Sequence, residues 1–291
     1  MSLLPRRMPP LRHWAALLLT LCLFPGGVDA QVNPWSGPLL DRSIAPVPFG
    51  PGEFKGYEVR LGRLRVGEGS MRVGSVEYVR GRRVYPLTMT VQGGIPLARV
   101  NDRMDSWLDL ESLISHRFIQ DLHQIRSHRY RHYEFYPEEL RYTREGWDED
   151  QELASSEPLD DVSFLYYVRT LPLEVGDVYT MDRYFRESGN PVVVRVVRRD
   201  TVTVPAGTFN TVVVRPIIQT SGLFGEGGEA EIHFSDDDRR LMVQMTSRVP
   251  IMGSLSLHLS EVSLTDPLRR FTPSSRATEA REYQGDRTEG S

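Results

Sequence analysis

The chain has 291 residues, with 35 Lys and Arg against 39 Asp and Glu and 40% hydrophobic residues, which is typical of a globular domain and excludes fibrous or wholly disordered chains. The formal net charge of −4 gives no support for the extended basic surface of a nucleic-acid-binding protein, and we expect no nucleic-acid partner. Lys55 is the only lysine. A phosphate-binding G-x-x-x-x-G-K-[ST] loop is therefore excluded, and a Schiff-base lysine could only be Lys55.

The first 30 residues have the pattern of a secretory signal peptide, predicted over residues 1–30. Basic residues up to Arg12 precede an apolar run over residues 14–24, and small residues end at Ala30, where cleavage is expected. The run is shorter than the about 20 residues that span a bilayer, so we expect no transmembrane segment after cleavage. Cleavage removes Cys22, the only cysteine. The sequence thus predicts an exported protein of the periplasm or cell envelope without disulfide bonds.

The mature chain divides into three predicted regions. Residues 31–46 are rich in Pro and Gly and form a leader without periodicity. Residues 47–265 carry the hydrophobic pattern of a single domain. Residues 266–291 are polar and are predicted to be a disordered tail.

Alternation with a period of two dominates the domain and predicts β-strands. Residues 254–262 alternate leucine with serine and histidine, as in a half-buried strand. The β-branched runs at 191–197 and 211–218 suit central strands, and the Pro-Ala-Gly turn within 204–207 is expected to join them as a hairpin. We therefore predict a mainly β fold, a strongly curved antiparallel sheet or open barrel with one short helix.

The helix is predicted over residues 163–171. Asp160 and Asp161 precede it, and Pro172 follows it. We expect Asp161 to cap this helix and its apolar residues to pack on the sheet. Residues 110–125 fit either a helix or a strand.

Four of the seven histidines lie within 17 residues, at His116, His123, His128 and His132. On a helix His128 and His132 would share a face, but on a strand they lie about 13 Å apart and cannot chelate one ion together. Residues 128–136 alternate like a strand. The pattern therefore predicts hydrogen-bonded histidines on a sheet face, with no metal site and no cofactor.

The candidate ligand-binding residues are Asp161, Tyr166, Tyr167 and Arg169, in and around the predicted helix. They combine apolar area with phenol and guanidinium donors, which could form a pocket mouth for an anionic or amphiphilic ligand. No catalytic residue is proposed, since no G-x-S-x-G or H-E-x-x-H motif occurs. The acidic run 236–238 is interpreted as a turn rather than a calcium loop.

Several segments occur together in a recognisable order. They are residues 48–57 (PFGPGEFKGY), 160–171 (DDVSFLYYVRTL), 204–209 (VPAGTF) and 232–241 (IHFSDDDRRL), the last leading into Gly253. In these the chain resembles the domain-of-unknown-function 3108 family of exported bacterial proteins. The resemblance implies an exported protein built largely from antiparallel strands and favours a strand at 113–120. It implies no reaction, cofactor or catalytic residue.

Three functions are compatible with these observations. The first is a non-enzymatic binder or carrier of an amphiphile or envelope component, held in the concave face of the sheet. The second is a hydrolase of envelope polysaccharide that uses paired carboxylates such as Asp161 and Asp236. The third is an envelope assembly or scaffold protein that offers an exposed sheet edge to a protein partner.

Overall fold

A computed structural model describes residues 47–95, 98–124, 127–218, 230–249 and 253–264. The predicted signal peptide, leader and tail lie outside the described residues. Within these ranges the chain is mainly β, as predicted, with one α-helix and two single-turn 3₁₀ helices. No helix in the described part of the chain is both long and apolar enough to cross a bilayer.

The described residues form fifteen strands of one antiparallel sheet. These are β1 (Phe54–Leu61), β2 (Leu64–Val73), β3 (Glu77–Val79), β4 (Arg82–Ile95), β5 (Ala98–Asp109), β6 (Ser115–Gln124), β7 (Ser127–Tyr136), β8 (Arg141–Arg144), β9 (Gln151–Glu152), β10 (Val178–Met181), β11 (Val192–Val204), β12 (Gly207–Ile217), β13 (Glu231–Ser235), β14 (Met242–Val249) and β15 (Gly253–Ser263). The helix α1 spans Asp161–Val168.

The sheet is built outward from its first strand. β1 pairs with β2 on one side and with the last strand, β15, on the other. The order then continues through β4 to β9 on the β2 side and back through β14 to β10 on the β15 side, while β3 pairs with β4 alone. The hydrogen-bonded ladder does not close between β9 and β10. Most neighbours in the sheet are also neighbours in sequence, so short connections suffice.

The sheet is strongly curved near the hairpin of β11 and β12. The sequence predicted this hairpin. Pro205 and Ala206 join the two strands, and the Ala206 N–H donates to the carbonyl oxygen of Leu259 in β15 at 3.0 Å. In the sheet, β13 and β14 lie between β12 and β15. The end of the hairpin can reach β15 only because the sheet bends over this span.

The segment that fitted either helix or strand contains a strand, as the family resemblance favoured. In β6, His116, Phe118, Gln120 and Leu122 are buried and the residues between them are more exposed. A tight turn with Leu113 at a φ of 54° separates β5 from β6. Residues 128–136 lie in β7, as the alternation predicted.

The helix α1 packs on the inner face of the sheet. All eight of its residues are buried, and it contacts β4 and β5. The buried residues of β5 include Ser106 and Leu108, and Ser106 bonds the N-terminal end of the helix. The helix starts two residues before the predicted range and ends three residues before its end. The curved sheet therefore encloses a helix, and this part of its concave face is filled by the chain itself.

The segment that follows β9 and the segment that follows β10 pair with each other at the open side of the ladder. The Leu159 N–H donates to the Arg183 carbonyl at 2.6 Å, and the Phe185 N–H donates to the Leu159 carbonyl at 3.1 Å. The ring of Phe185 packs among four aromatic rings of the sheet, those of Phe118, Tyr133, Phe135 and Tyr142. Such ring pairs add roughly 0.5–1.5 kcal/mol each beyond their buried area. The segments after β9 and β10 are thereby fixed over the core.

Candidate functional site

The N-terminal end of α1 is held by a buried aspartate. One carboxylate oxygen of Asp160 accepts the backbone N–H groups of Val162 and Ser163, both at 2.9 Å, and the Asp160 N–H donates to the Ser163 hydroxyl. The other oxygen accepts the hydroxyls of Ser106 and Ser115 at 2.6 and 2.5 Å. The sequence interpretation assigned the cap to Asp161 and is wrong, because the extended backbone that aims a side chain at these N–H groups lies at Asp160.

Asp161, a predicted ligand-binding residue, lies inside the protein. Its carboxylate accepts the Tyr184 hydroxyl at 3.2 Å and the Gln120 amide at 3.4 Å. Burial, together with the neighbouring charge of Asp160, raises the pKa of Asp161 to about 6. The side chain therefore sits close to its titration point near neutral pH, with its hydrogen bonds directed to the protein's own groups.

Arg169, also a predicted ligand-binding residue, is the C-cap of α1 and ties the helix to two other segments. Its guanidinium makes a two-pronged contact with Glu53, at 2.7 and 2.9 Å. It also donates to the carbonyl oxygens of Pro48 and of Arg239, at 3.0 and 2.9 Å. The Arg169 and Glu53 side chains are both buried. This geometry clamps the helix to the start of β1 and to the turn between β13 and β14.

Lys55 lies in the same buried group. Its ammonium is 2.5 Å from a carboxylate oxygen of Glu53 and 4.7 Å from the centre of the Tyr166 ring, and only 1% of the residue is exposed. Burial and the positive charge of Arg169 lower the pKa of Lys55 to about 7, against the opposing effect of Glu53. Burial works to raise the pKa of Glu53, but Lys55 and Arg169 outweigh it and hold that pKa at about 2.

Tyr166 completes this group, which we call the buried cation cluster (Glu53, Lys55, Tyr166 and Arg169). The Tyr166 ring lies edge-on to Phe49, with ring centres 5.0 Å apart, and its buried hydroxyl has no hydrogen-bond partner among the residues that the structure describes. Burial, with a smaller effect from the negative charge of Glu53, raises the pKa of Tyr166. Sequence reasoning did not place Lys55 in a site. The signal for it is its position two residues before Tyr57, which places both on the same face of β1.

Tyr167 points to a different place, a cleft beside the C-terminal end of α1. The cleft has a volume of about 310 Å³ and is lined by residues from the segment before the helix, from α1 and its C-terminal end, and from β10 and the segment after it; we call it the α1–β10 cleft. Its lining residues are Ser155, Ser156, Glu157, Tyr167, Leu171, Tyr179, Thr180, Met181, Asp182 and Arg183. The Arg183 guanidinium lies 4.3 Å from the centre of the Tyr167 ring. It also donates to the Glu157 and Leu113 carbonyls, at 2.9 and 2.8 Å.

A second, larger groove of about 500 Å³ has a different character. It is lined by Arg198, Asp200, Val202, Glu231, His233, Gln244, Thr246 and Ser254. Its charges pair with one another, since Arg198 contacts Glu231 at 3.0 Å and Asp200 at 3.6 Å. Val202 is the single apolar residue in this lining. The groove therefore offers a ligand one apolar side chain among charges that already pair with one another.

The four predicted ligand-binding residues do not meet at one pocket. Tyr166 and Arg169 belong to the buried cation cluster, Tyr167 lines the α1–β10 cleft, and Asp161 lies at the opposite end of the helix. Only Tyr167 is among the residues that line the cleft.

The carboxylates suggested for a hydrolase also lie in different surroundings. Asp236 lies in the turn that was predicted between β13 and β14, and it binds Arg199 at 2.9 Å and Arg240 at 3.1 Å. Asp161 shares neither of these partners. The structure instead places Glu157 and Asp182 along one cleft. Sequence reasoning missed this pair because 24 residues and the whole of α1 separate the two positions.

The fold and these sites define an antiparallel β protein whose curved sheet encloses one helix. The chain belongs to the family "Protein of unknown function (DUF3108)", whose model matches residues 56–260. This confirms the resemblance seen in the sequence. No curated protein matches the chain in a sequence comparison.

Three solved structures match much of the chain at low identity and low TM-score. A candidate lipoprotein of Parabacteroides distasonis has a TM-score of 0.33 and 10% identity, covering 75% of this chain and 99% of that one. The hypothetical protein CT021 of Chlamydia trachomatis has a TM-score of 0.36 and 6% identity, covering 78% and 98%. A candidate exported protein with a YmcC-like fold from Bacteroides fragilis has a TM-score of 0.27 and 11% identity, covering 75% and 98%.

Proposed function

We propose that the protein is an exported, non-enzymatic envelope protein that binds an amphiphilic envelope component in the α1–β10 cleft. The observation that carries the proposal is the mixed lining of this cleft. Leu171, Met181 and two tyrosine rings offer apolar surface, while serine and threonine hydroxyls and charged groups lie beside them. Ligand sites commonly combine an apolar wall with a few polar groups in this way, and about 310 Å³ is at the lower end of their usual volume.

The position of α1 favours the α1–β10 cleft, rather than the interior of the curved sheet, as the binding site. The helix is buried on all sides and lies against β4 and β5, so a ligand there would have to displace it. The eight residues of α1 include Phe164 and Leu165, each about 1% exposed. Exposing each such side chain costs roughly 1.5–3 kcal/mol, so displacement of the helix is strongly unfavourable.

The charges of the cleft indicate which polar group it accepts. Glu157 and Asp182 carry negative charge, whereas Arg183 is the one cation in the lining. The Arg183 guanidinium lies 3.5 Å from the Glu157 carboxylate, is bound to two backbone carbonyls and lies over the Tyr167 ring, so the cleft keeps a net negative charge through Asp182. We therefore expect a ligand whose polar part is uncharged or positively charged, such as a hydroxyl-rich or amine-bearing head group, rather than a strongly anionic one.

The signal-peptide pattern of residues 1–30 supports export to the periplasm or cell envelope. Two proteins of similar fold are described as a candidate lipoprotein and a candidate exported protein. A non-enzymatic role is supported by the placement of two groups whose pKa values are shifted to about 7 and about 6. Lys55 and Asp161 are buried and do not line the cleft.

The test uses protein purified from its own envelope. Native mass spectrometry is expected to show a co-purified amphiphile at one per chain, and the purified protein is expected to bind a fluorescent zwitterionic phospholipid. Met181→Trp fills the cleft and should weaken binding by at least about tenfold. A loss of about 1.4 kcal/mol of binding free energy raises the dissociation constant tenfold. Val178→Trp is the matched control, because Val178 is on the same strand, 52% exposed and outside the lining. No co-purified amphiphile and no phospholipid binding, or equal binding by both variants, would refute the proposal.

A second candidate is a hydrolase of envelope polysaccharide, favoured by the presence of Glu157 and Asp182 in one cleft. Glycoside hydrolysis needs two carboxyl groups on opposite sides of the bond that is cleaved. The measurement is the release of reducing ends from purified envelope polysaccharide. Activity that is lost in both Glu157→Gln and Asp182→Asn would support this candidate, and a rate equal to the buffer blank would eliminate it.

A further inference from the structure

Two histidines that are separated in sequence face each other across the hairpin of β6 and β7. The strand register pairs His123 directly with His128. Both side chains are on the outer face of the sheet, opposite to the buried Leu122 and Phe118. The two imidazole rings are stacked, with centres 3.9 Å apart and planes inclined by 15°. Neither residue lines the α1–β10 cleft, so this arrangement is independent of the proposed function.

A carboxylate completes the arrangement. Asp121 lies two residues before His123 on the same face of β6, and one of its oxygens is 3.0 Å from Nε2 of His123 and 2.7 Å from Nε2 of His128. One ligand atom from each of the three residues lies within 4.8 Å of the other two. In a tetrahedral site with bonds of about 2.0–2.1 Å, neighbouring ligand atoms are about 3.3 Å apart. Small side-chain rotations are therefore sufficient to place the three atoms around one ion.

We propose that Asp121, His123 and His128 form a binding site for one divalent transition-metal ion, with solvent at the remaining positions. Two imidazole nitrogens and one carboxylate oxygen are ligands that Zn²⁺ and Cu²⁺ accept, whereas Mg²⁺ and Ca²⁺ prefer oxygen alone. The side chains are 40%, 48% and 55% exposed for Asp121, His123 and His128, respectively. The site is thus accessible from solvent, and binding is reversible and does not require the protein to unfold.

The surrounding charges are compatible with a cation at this position. Arg103 is the β5 neighbour of Asp121, but Asp105 binds the Arg103 guanidinium at 2.6 and 2.8 Å. Its positive charge is therefore already compensated. His132, four residues beyond His128 on the same face, binds Glu134 at 2.9 Å and Glu145 at 3.5 Å. It lies outside the site and provides a matched control.

The experiment uses purified, metal-stripped protein without a histidine tag. Isothermal titration with Zn²⁺ is expected to show one ion per chain, and the Cu²⁺ form is expected to give an electron paramagnetic resonance spectrum with nitrogen ligands. His123→Gln and His128→Gln should each weaken Zn²⁺ binding by at least about tenfold. Loss of a residue that merely supports a metal ligand commonly lowers the affinity by about tenfold or more, so loss of a ligand itself should cost at least as much. His132→Gln should keep the wild-type affinity.

Two results would overturn the proposal. One is the lack of saturable binding of Zn²⁺ and Cu²⁺ at ion concentrations up to about 1 mM. A dissociation constant of about 1 mM corresponds to only about 4 kcal/mol of binding free energy. The other is wild-type affinity in both His123→Gln and His128→Gln. Because both side chains are about half exposed, these variants are expected to fold, and thermal unfolding of the metal-free forms verifies this.

Discussion

The buried Lys55 makes the stability of the protein depend on pH in a defined direction. Its pKa is lowered from 10.5 to about 7 in the folded protein. Below about pH 7 the lysine is charged in both the folded and the unfolded chain. Between about pH 7 and 10.5 the unfolded chain holds a proton that the folded protein has released, so a rise in pH favours the folded state. The free energy of unfolding should therefore increase with pH in this window.

The magnitude follows from the size of the shift. One pKa unit corresponds to about 1.4 kcal/mol, so the interval from pH 7 to 9 contributes at most about 3 kcal/mol. Lys55→Met removes this contribution and leaves Glu53 paired with Arg169, which already contacts both carboxylate oxygens. The variant should be at least as stable as the wild type at pH 7. Arg169→Met, by contrast, breaks the two-pronged pair and should cost about 3–5 kcal/mol.

The assay is urea unfolding of the purified protein at pH 7, 8 and 9, followed by tryptophan fluorescence at constant ionic strength. Subtraction of the Lys55→Met curve removes the contributions of all other titrating groups. A free energy of unfolding of the wild type that rises by about 1.5–3 kcal/mol relative to that of the variant from pH 7 to 9 agrees with the expected linkage. Parallel pH dependences of the two proteins would show that Lys55 does not titrate there, and the proposed effect of its burial would be wrong.

Three further substitutions test the helix and the sheet by urea unfolding. Asp161→Asn should stabilise the protein by up to about 3 kcal/mol at pH 7, because the folded pKa is raised from 3.8 to about 6 and the wild type loses stability as pH rises through this interval; an equal gain at pH 3 would contradict this. Asp160→Ala removes the helix cap and should cost at least about 2 kcal/mol, whereas a loss below about 0.5 kcal/mol would show that the cap is dispensable. Gly67→Ala places a Cβ 2.1 Å from the Gln92 carbonyl oxygen and should cost about 1–3 kcal/mol, so wild-type stability would contradict this close approach of β2 and β4.

Much of the fold is readable from local patterns. The alternating leucines of residues 254–262 correspond to β15, and the runs at 191–197 and 211–218 fall in the paired strands β11 and β12. The helix was predictable because two carboxylates, Asp160 and Asp161, precede its apolar residues and Pro172 follows them. Residues 110–125 stayed open, since short apolar runs satisfy both periods until a neighbouring strand supplies hydrogen bonds.

The candidate site was predictable only in part. Tyr166 and Tyr167 are adjacent in sequence, but successive helical residues point about 100° apart. One therefore enters the buried cation cluster and the other the α1–β10 cleft. The sequence does not show which side of α1 faces the cleft, because that depends on how the helix lies on β4 and β5. The burial of Lys55 and its position near Arg169, which together lower its pKa, likewise depend on how α1 lies on the sheet.

The sequence by itself determined the strand-dominated architecture, the helix α1 and the family, because these depend on periodicity and on motifs within a few residues. Tertiary structure alone decided which distant groups meet. Glu53 reaches Arg169 across 116 positions, and His123 stands opposite His128 only because β6 and β7 pair in one register. His128 and His132 were compared in sequence by their distance along one strand. That distance does not include residues of the neighbouring strand, which lies only about 5 Å away. Pairing between strands depends on the whole chain, whereas alternation within a strand is a local property.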